Sequence, residues 1–239
     1  MLKNAQRFVR GLAQKAGFDI VHYLPVRHGP IVPVRPEFKG LAFAGAAAQK
    51  LLDDFSFDTV LDIGCGAGEQ SEVFLKHGKT VTALDYGKSI YFEKNQHRMQ
   101  CLIGDFNTMP FDKQFDCVWA SHVLEHQLNP GMFLSKIFEV TKEGGVVCLT
   151  VPPLQKEILG GHVSFWNAGL LLYHLVLAGF DCREVSILHY GYNISVIVRK
   201  KAAKLPELAF DNGDVRRILP FLPEGFYEGF NGDIASHNW

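Results

Sequence analysis

The sequence predicts an α/β fold in which helices cover both faces of a mostly parallel sheet. From about Lys39 onward, short apolar runs alternate with segments of helical periodicity, which is typical of such sheets. The apolar runs contain few polar positions, as expected of strands that are buried on both faces. The turn residues Gly191-Tyr192-Asn193 separate the last two runs and indicate an antiparallel hairpin at the edge of the sheet.

The chain is expected to begin with an amphipathic helix over residues 2–16, followed by an extended connector with four prolines between Pro25 and Pro36. Basic side chains outnumber acidic ones in this region. The helix could therefore make weak contact with an anionic membrane surface, or it could pack on the domain with its basic face in water. We favour the second interpretation.

The remaining elements follow in order. A helix is predicted over residues 41–54, another ends near Gly78, and a third lies around residues 168–178. The predicted strands cover residues 59–63, 80–84, 99–103, 115–120, 145–151, 182–188 and 194–198, with helices between the first five. The expected organisation is a basic N-terminal helix and connector (1–38), a central domain (39–200) and a C-terminal extension (201–239) that serves as a lid, a substrate contact or an oligomer contact.

Composition narrows the class of protein. The 239 residues are 47% hydrophobic and 21% charged, which excludes wholesale disorder, and the net charge of -1 argues against a nucleic-acid partner. The five cysteines include no C-x-x-C pair, so we expect free thiols, most of them small core residues, in a reducing compartment. The first 25 residues lack the continuous apolar run of a signal peptide, and no apolar run in the chain is long enough to span a membrane, so we expect a cytoplasmic location.

A glycine-rich turn is the strongest signal for a binding site. Strand residues 60–63 lead into Gly64-Cys65-Gly66-Ala67-Gly68, where glycines at alternate positions let the backbone turn sharply and approach a flat ligand. The dinucleotide fingerprint requires one more glycine at the position that Glu69 occupies. A carboxylate there would repel a pyrophosphate, so the sequence disfavours NAD, and a nicotinamide dehydrogenase, and favours a ligand with a cationic part.

This segment resembles motif I of the class I S-adenosylmethionine-dependent methyltransferases. The resemblance covers about residues 40–200 and includes Asp85 after the second strand, Gly104-Asp105-Phe106 after the third, and Lys142-Glu143-Gly144-Gly145 before the fifth, where Glu143 replaces the usual proline. It implies a Rossmann-like, doubly wound sheet of seven strands with an antiparallel last strand. It also implies the cofactor S-adenosyl-L-methionine, with S-adenosyl-L-homocysteine as product.

The resemblance also assigns cofactor contacts. Asp85 would bind the ribose hydroxyls, while Asp105 and Phe106 would hold the adenine amino group and stack on its ring. The expected cofactor-binding residues are Asp62, Gly64, Cys65, Gly66, Gly68, Asp85, Tyr86, Asp105, Phe106 and Ser121.

The segment from His122 to His126 also fits H-x-x-E-H, the inverted motif of zinc peptidases. On a helix, both imidazoles would share one face and could hold zinc. The segment stops at Pro130, however, and no third ligand is recognisable downstream. We therefore expect no metal and regard a zinc hydrolase as the weaker alternative.

Methyl transfer requires alignment of the acceptor and, for a hydroxyl acceptor, removal of its proton. Histidine titrates near neutral pH, so the candidate catalytic bases are His122, His126 and His162. The signatures of nucleic-acid and protein methyltransferases are missing, which favours a small-molecule or glycan/lipid-linked acceptor methylated at oxygen. The main alternative is a non-catalytic module that binds the cofactor, and the sequence leaves the oligomeric state open.

Overall fold

The computed structural model describes residues 29–95, 100–155 and 159–239. The predicted amphipathic helix and the start of the connector lie outside the described residues. Eight strands form one sheet: β1 (Thr59–Ile63), β2 (Thr80–Asp85), β3 (Cys101–Ile103), β4 (Phe115–Ser121), β5 (Thr141–Val151), β6 (Ser186–Tyr190), β7 (Asn193–Arg199) and β8 (Ser236–His237).

The strand order is β3-β2-β1-β4-β5-β7-β6-β8. Strands β1 to β5 run parallel, whereas β7 is antiparallel to both β5 and β6. The α/β fold and the antiparallel hairpin are therefore confirmed. The seven expected strands are extended by β8, a two-residue strand of the C-terminal extension that pairs with β6.

Helices lie on both sides of the sheet: α1 (Pro36–Lys39), α2 (Gly45–Asp54), α3 (Glu69–Lys76), α4 (Pro130–Val140), α5 (Ala168–Leu177) and α6 (Asp214–Ile218). Short 3-10 turns occupy Phe92–Asn95, Leu124–His126 and Leu219–Phe221. The helix predicted between β3 and β4 is wrong, because residues 104–114 form turns. The side chain of Asp105 accepts hydrogen bonds from the backbone and side chain of Asn107, and Pro110 follows, both of which favour a turn over a helix.

The core consists of two layers separated by the sheet. Alternate strand residues point to opposite faces, so Val118 joins the layer under α4 and α5, whereas Trp119 joins the layer under α1, α2 and α3. The Trp119 ring packs edge-on against Phe74 of α3 at 5.2 Å. The five cysteines are free and four of them are buried, so the expectation of free thiols, most of them core residues, is confirmed.

The C-terminal extension packs along the hairpin edge. Ile218 and Leu222 are buried in the main core, and the Trp239 ring lies 6.2 Å from Tyr190 and 5.6 Å from the Lys50 ammonium. In the part of the chain that the structure describes, no helix is both long enough and apolar enough to cross a membrane. The proposed domain boundaries stay a prediction.

Candidate active site

The glycine turn lies at the carboxyl end of β1, where ligands bind in open α/β sheets. Gly64, Gly66 and Gly68 have φ angles of 73°, 48° and 78°, a region that favours glycine. At Gly64 a Cβ atom would also come within 2.4 Å of a Val123 methyl. Val123 lies between His122 and Glu125, so the glycine turn and the histidine segment are in direct contact.

Asp85 holds this turn in place. Its side chain is 6% exposed, one carboxylate oxygen accepts from the Gly66 N–H at 2.9 Å, and the other accepts from the Gly87 N–H at 2.8 Å. A carboxylate has about four acceptor sites, so two backbone bonds leave capacity for hydroxyl donors of a ligand.

Asp62 lies behind the turn and is 1% exposed. Burial raises its pKa to about 7, against the opposing effect of a hydrogen bond from the Ser71 hydroxyl, and the nearby charge of Asp85 raises it further. Because Ser71 lies on α3, this contact ties the helix to β1. The structure thus gives Asp62 a positioning role beneath the glycine turn.

The residues expected around an adenine ring differ in exposure. Tyr86 is 56% exposed, with the Lys88 ammonium 5.1 Å from its ring centroid. Phe106 is only 3% exposed, and its ring packs against Phe111 and Phe133. The ring contact expected of Phe106 does not fit this placement, because the side chain forms part of the core.

Two further predicted residues lie close to the turn. The Ser121 hydroxyl, at the end of β4, is buried and finds no hydrogen-bond partner among the described residues. The Cys65 sulfur lies 3.3 Å from that of Cys101, and this contact, together with burial, raises the pKa of Cys65. Both effects favour the protonated form of the Cys65 thiol.

The second half of the site is built around Glu125. The chain leaves β4 through His122, which has a φ of 55° and donates its N–H to Thr150 at 2.8 Å. The turn Leu124–His126 then buries Glu125 completely. The His122 Nδ1 atom lies 3.2 Å from the Glu125 carboxylate, and the His126 Nε2 atom lies 4.0 Å from it.

A loop after β5 brings the third predicted histidine to the same place. The Glu125 carbonyl accepts from the N–H groups of Val163 and Ser164, which docks this loop on the turn. The His162 ring then stands 4.9 Å from that of His126, nearly perpendicular to it. Burial lowers the pKa of His162. The structure therefore brings His122, His126 and His162 together.

Residues that are distant in sequence surround the His122 ring. The Asn193 side-chain oxygen lies 3.0 Å from His122 Nε2, and the rings of Phe43 and Tyr192 lie 4.2 and 5.9 Å from the His122 ring. The motif spacing had pointed to Glu125, though only as a zinc-peptidase residue, and nothing in the sequence pointed to Phe43 or Asn193.

Apolar side chains are unusually exposed in the segments around the histidines. Leu128 is 83% exposed and Val163 is 53% exposed. Others in the same segments are Met132, Leu154, Leu159, Phe165 and Leu170.

A cavity of about 490 Å³ lies away from this site. It is lined by Phe55, Gly144 and Lys200 and lies where β5 begins, at the opposite end of the parallel strands from the glycine turn.

Comparison with known proteins agrees with this geometry. A family described as "Methyltransferase domain" matches residues 61–149, from β1 through most of β5. Residues 61–149 thus match a methyltransferase domain, and the fold is the Rossmann-like fold of class I S-adenosylmethionine-dependent methyltransferases. The domain is 31% identical over 107 residues to malonyl-[acyl-carrier protein] O-methyltransferase of Salmonella typhimurium, covering 44% of this chain and 43% of that protein. It is 30% identical over 116 residues to the ubiquinone biosynthesis O-methyltransferase of Rickettsia typhi, covering 46% and 47%. The chain thus spans less than half the length of these relatives.

Solved structures share the fold of this methyltransferase domain. A SAM-dependent methyltransferase from Archaeoglobus fulgidus superposes with a TM-score of 0.55 at 19% identity, covering 65% of this chain and 92% of that one. The 1,6-didemethyltoxoflavin-N1-methyltransferase of Burkholderia thailandensis, solved with S-adenosylhomocysteine, gives a TM-score of 0.56 at 18% identity, covering 70% and 82%.

Proposed function

We propose that this chain transfers a methyl group from S-adenosylmethionine to an oxygen atom of a small-molecule or glycan/lipid-linked acceptor with an apolar part. The observation that carries this proposal is the contact between Gly64 and Val123, because it joins the glycine turn to the histidine cluster. The donor site at the glycine turn and the acceptor site at the histidines would then lie next to each other, as an in-line displacement requires.

The residues around the glycine turn fit the cofactor. Asp85 has spare acceptor capacity for ribose hydroxyls, Asp105 is a carboxylate at the adenine end, and the buried Ser121 hydroxyl lacks a partner among the described residues. Tyr86 offers an exposed ring that could cover the base. Glu69, at the start of α3, suits a ligand with a positive charge better than a pyrophosphate. The bound cofactor would supply a methyl group that its sulfonium has already activated.

The histidine cluster would prepare the acceptor. A hydroxyl placed near His122, His126 or His162 can give its proton to an imidazole nitrogen. The buried Glu125 carboxylate, 3.2 Å from His122, would stabilise the imidazolium that results. Alignment alone contributes on the order of 7–11 kcal/mol in favourable cases, so removal of one histidine should slow the reaction without abolishing it.

The exposed apolar side chains support an acceptor with an apolar part. Contiguous exposed apolar surface commonly marks a binding site, and Leu128, Met132 and Val163 all lie in segments next to the histidines. The names of the relatives point the same way, since they describe O-methyltransferases that act on malonyl-[acyl-carrier protein] or in ubiquinone biosynthesis.

Calorimetric titration with S-adenosylhomocysteine tests the donor half of the proposal. The expected result is one site per chain with micromolar affinity and no response to NAD. Asp85→Ala should weaken binding by about ten-fold or more, because it removes the acceptor that organises the Gly66 and Gly87 N–H groups. The matched control is Asp112→Ala, an exposed carboxylate at a distance from the turn, which should bind normally. Unchanged affinity in Asp85→Ala would refute the cofactor assignment.

Transfer of a labelled methyl group to a panel of phenols, lipid-linked quinols and glycosides tests the acceptor half. Labelled product that is lost on replacement of both His126 and His162 supports the proposal. Tight binding of S-adenosylhomocysteine without transfer to any of these acceptors would favour the non-catalytic binding module.

A further inference from the structure

Glu125 is a buried carboxylate without a hydrogen-bond donor. Both of its side-chain oxygens are inaccessible, and within the described ranges no N–H or O–H group donates to either of them. An ionised carboxylate in such a place is costly unless a cation compensates it. The groups that face it are the ring nitrogens of His122 and His126.

One ring nitrogen of His126 is fixed by a carbonyl, and the other lies near this carboxylate. The Nδ1 atom lies 2.7 Å from the carbonyl oxygen of Gly161, and a carbonyl can only accept, so Nδ1 carries a proton. The Nε2 atom lies 4.0 Å from Glu125 and is the nitrogen that would ligate a metal ion. This is the arrangement that metal-binding histidines adopt, with one nitrogen fixed by a carbonyl and the other free to ligate.

His122 presents the same arrangement. The Asn193 side-chain oxygen accepts from the backbone N–H of Ala44, which identifies it as the oxygen of the amide. His122 Nε2 therefore donates to it, and the Nδ1 atom lies 3.2 Å from the Glu125 carboxylate. A metal ion bound at this place would compensate the charge of the buried carboxylate.

We propose that Glu125, His126 and His162 bind a divalent transition-metal ion such as Zn²⁺, with His122 as a fourth candidate ligand. The ligand atoms of the first three residues lie within 4.8 Å of one another. Ligands of a bound zinc ion, at about 2.1 Å each, stand about 3.4 Å apart, so the longest separation in the cluster must contract by up to about 1.4 Å on binding. His126 is exposed, and His162 follows Gly160 and Gly161 in its loop, so both side chains have room to make this movement.

The ligand set also differs from the one that the sequence argument considered. The H-x-x-E-H segment forms a 3-10 turn and not a helix, and its third partner, His162, comes from a different loop that docks on the Glu125 carbonyl. Only the role of the ion depends on the proposed function: with open coordination positions it would polarise an acceptor hydroxyl, and it would replace His126 and His162 as the group that promotes loss of the hydroxyl proton. Binding of the ion does not depend on methyl transfer.

Calorimetry on chelator-stripped protein tests the site, with Zn²⁺, Mn²⁺ and Mg²⁺ as probes. One Zn²⁺ per chain should bind with micromolar or tighter affinity, and Mg²⁺ should bind far more weakly because imidazole is a poor ligand for it. Co²⁺ should give d–d absorption bands of a site with nitrogen and oxygen ligands. The same sample is titrated with S-adenosylhomocysteine, so that failure of the metal site is distinguished from failure of the cofactor site.

Variants locate the ion. Glu125→Gln and His162→Ala should each weaken Zn²⁺ binding by about ten-fold to a hundred-fold and change the Co²⁺ spectrum, while His237→Ala, in the edge strand β8, should do neither. His162→Ala lies on a surface loop and provides the test even if Glu125→Gln fails to fold. The proposal is overturned if stripped protein takes up no stoichiometric ion, which would leave an ion pair between His122 and Glu125 only. It is equally overturned if folded His162→Ala binds Zn²⁺ as the wild type does.

Discussion

Replacement of Asp62 by asparagine should remove a specific pH dependence of folding. In the folded chain, burial raises the pKa of Asp62 from 3.8 to about 7, whereas the unfolded chain keeps the ordinary value. Between these two values the folded protein holds a proton that the unfolded protein has released. Stability from this group is therefore fully present below pH 3.8 and is lost as the pH rises towards 7.

The size of this change in unfolding free energy follows from the uptake of one proton by Asp62. Each pH unit in this window costs about 1.4 kcal/mol of unfolding free energy, so two units, from pH 4.5 to 6.5, cost about 3 kcal/mol. An asparagine at this position is neutral at every pH and can still accept from the Ser71 hydroxyl. The difference in unfolding free energy between wild type and Asp62→Asn should therefore shift by about 3 kcal/mol, in favour of the variant, over those two units.

Urea unfolding at half-unit steps from pH 4.5 to 8, followed by circular dichroism, measures this difference. All other titrating groups are common to both proteins and cancel in the comparison. The difference should level off above pH 7. A difference that is flat from pH 4.5 to 6.5 would mean that Asp62 is already ionised in the folded state, and it would refute the argument from burial.

Three smaller changes test other parts of the site. Gly64→Ala forces a Cβ into a left-handed position 2.4 Å from a valine methyl, so urea unfolding should show a loss of about 2–3 kcal/mol together with loss of S-adenosylhomocysteine binding. Gly161→Ala places a methyl group 2.9 Å from His126 Nδ1, so methyl transfer should fall while cofactor affinity stays constant, and a parallel loss of both would contradict this. Lys142→Ala removes the ammonium group that helps to hold the pKa of Asp116 below its usual range, against the effect of burial. Because this lysine is half-exposed, the variant should lose under about 1 kcal/mol at pH 7, and this loss should shrink only as the pH falls through the lowered pKa of Asp116, as measured by urea unfolding at pH 7 and across the acid range.

The strands that lie in the centre of the sheet were predictable because their patterns are local. β1 matches its predicted bounds, and β4 extends its prediction by only one residue, since a continuous apolar run in this setting has few alternatives. The hairpin of β6 and β7 followed from the turn residues that precede Asn193. β8 could not be predicted, because two residues carry no periodicity and pair only through tertiary context.

The site was predictable in its residues but not in its arrangement. The three histidines could be named because imidazole is a suitable base. Their convergence on Glu125 depends on hydrogen bonds from Val163 and Ser164, and the spacing of residues in the sequence does not predict these bonds. Phe106 shows the reverse, because the resemblance implied stacking on the adenine ring, whereas the side chain packs against Phe133 in the core. Burial at a strand end depends on the neighbouring helix, and a single sequence does not specify that geometry.

The hydrogen bond between Asn193 and His122 joins residues that are 71 positions apart. The Asn193 side chain also accepts a hydrogen bond from the N–H of Ala44, 149 positions away. During synthesis the amino-terminal strands can pair while the later part of the chain is still inside the ribosome. The histidine cluster, in contrast, has no anchor for His122 until the final hairpin has emerged and β7 has inserted beside β5. A nascent chain thus acquires its glycine turn early and its complete histidine cluster late, so premature termination before residue 193 yields a protein that lacks this anchor.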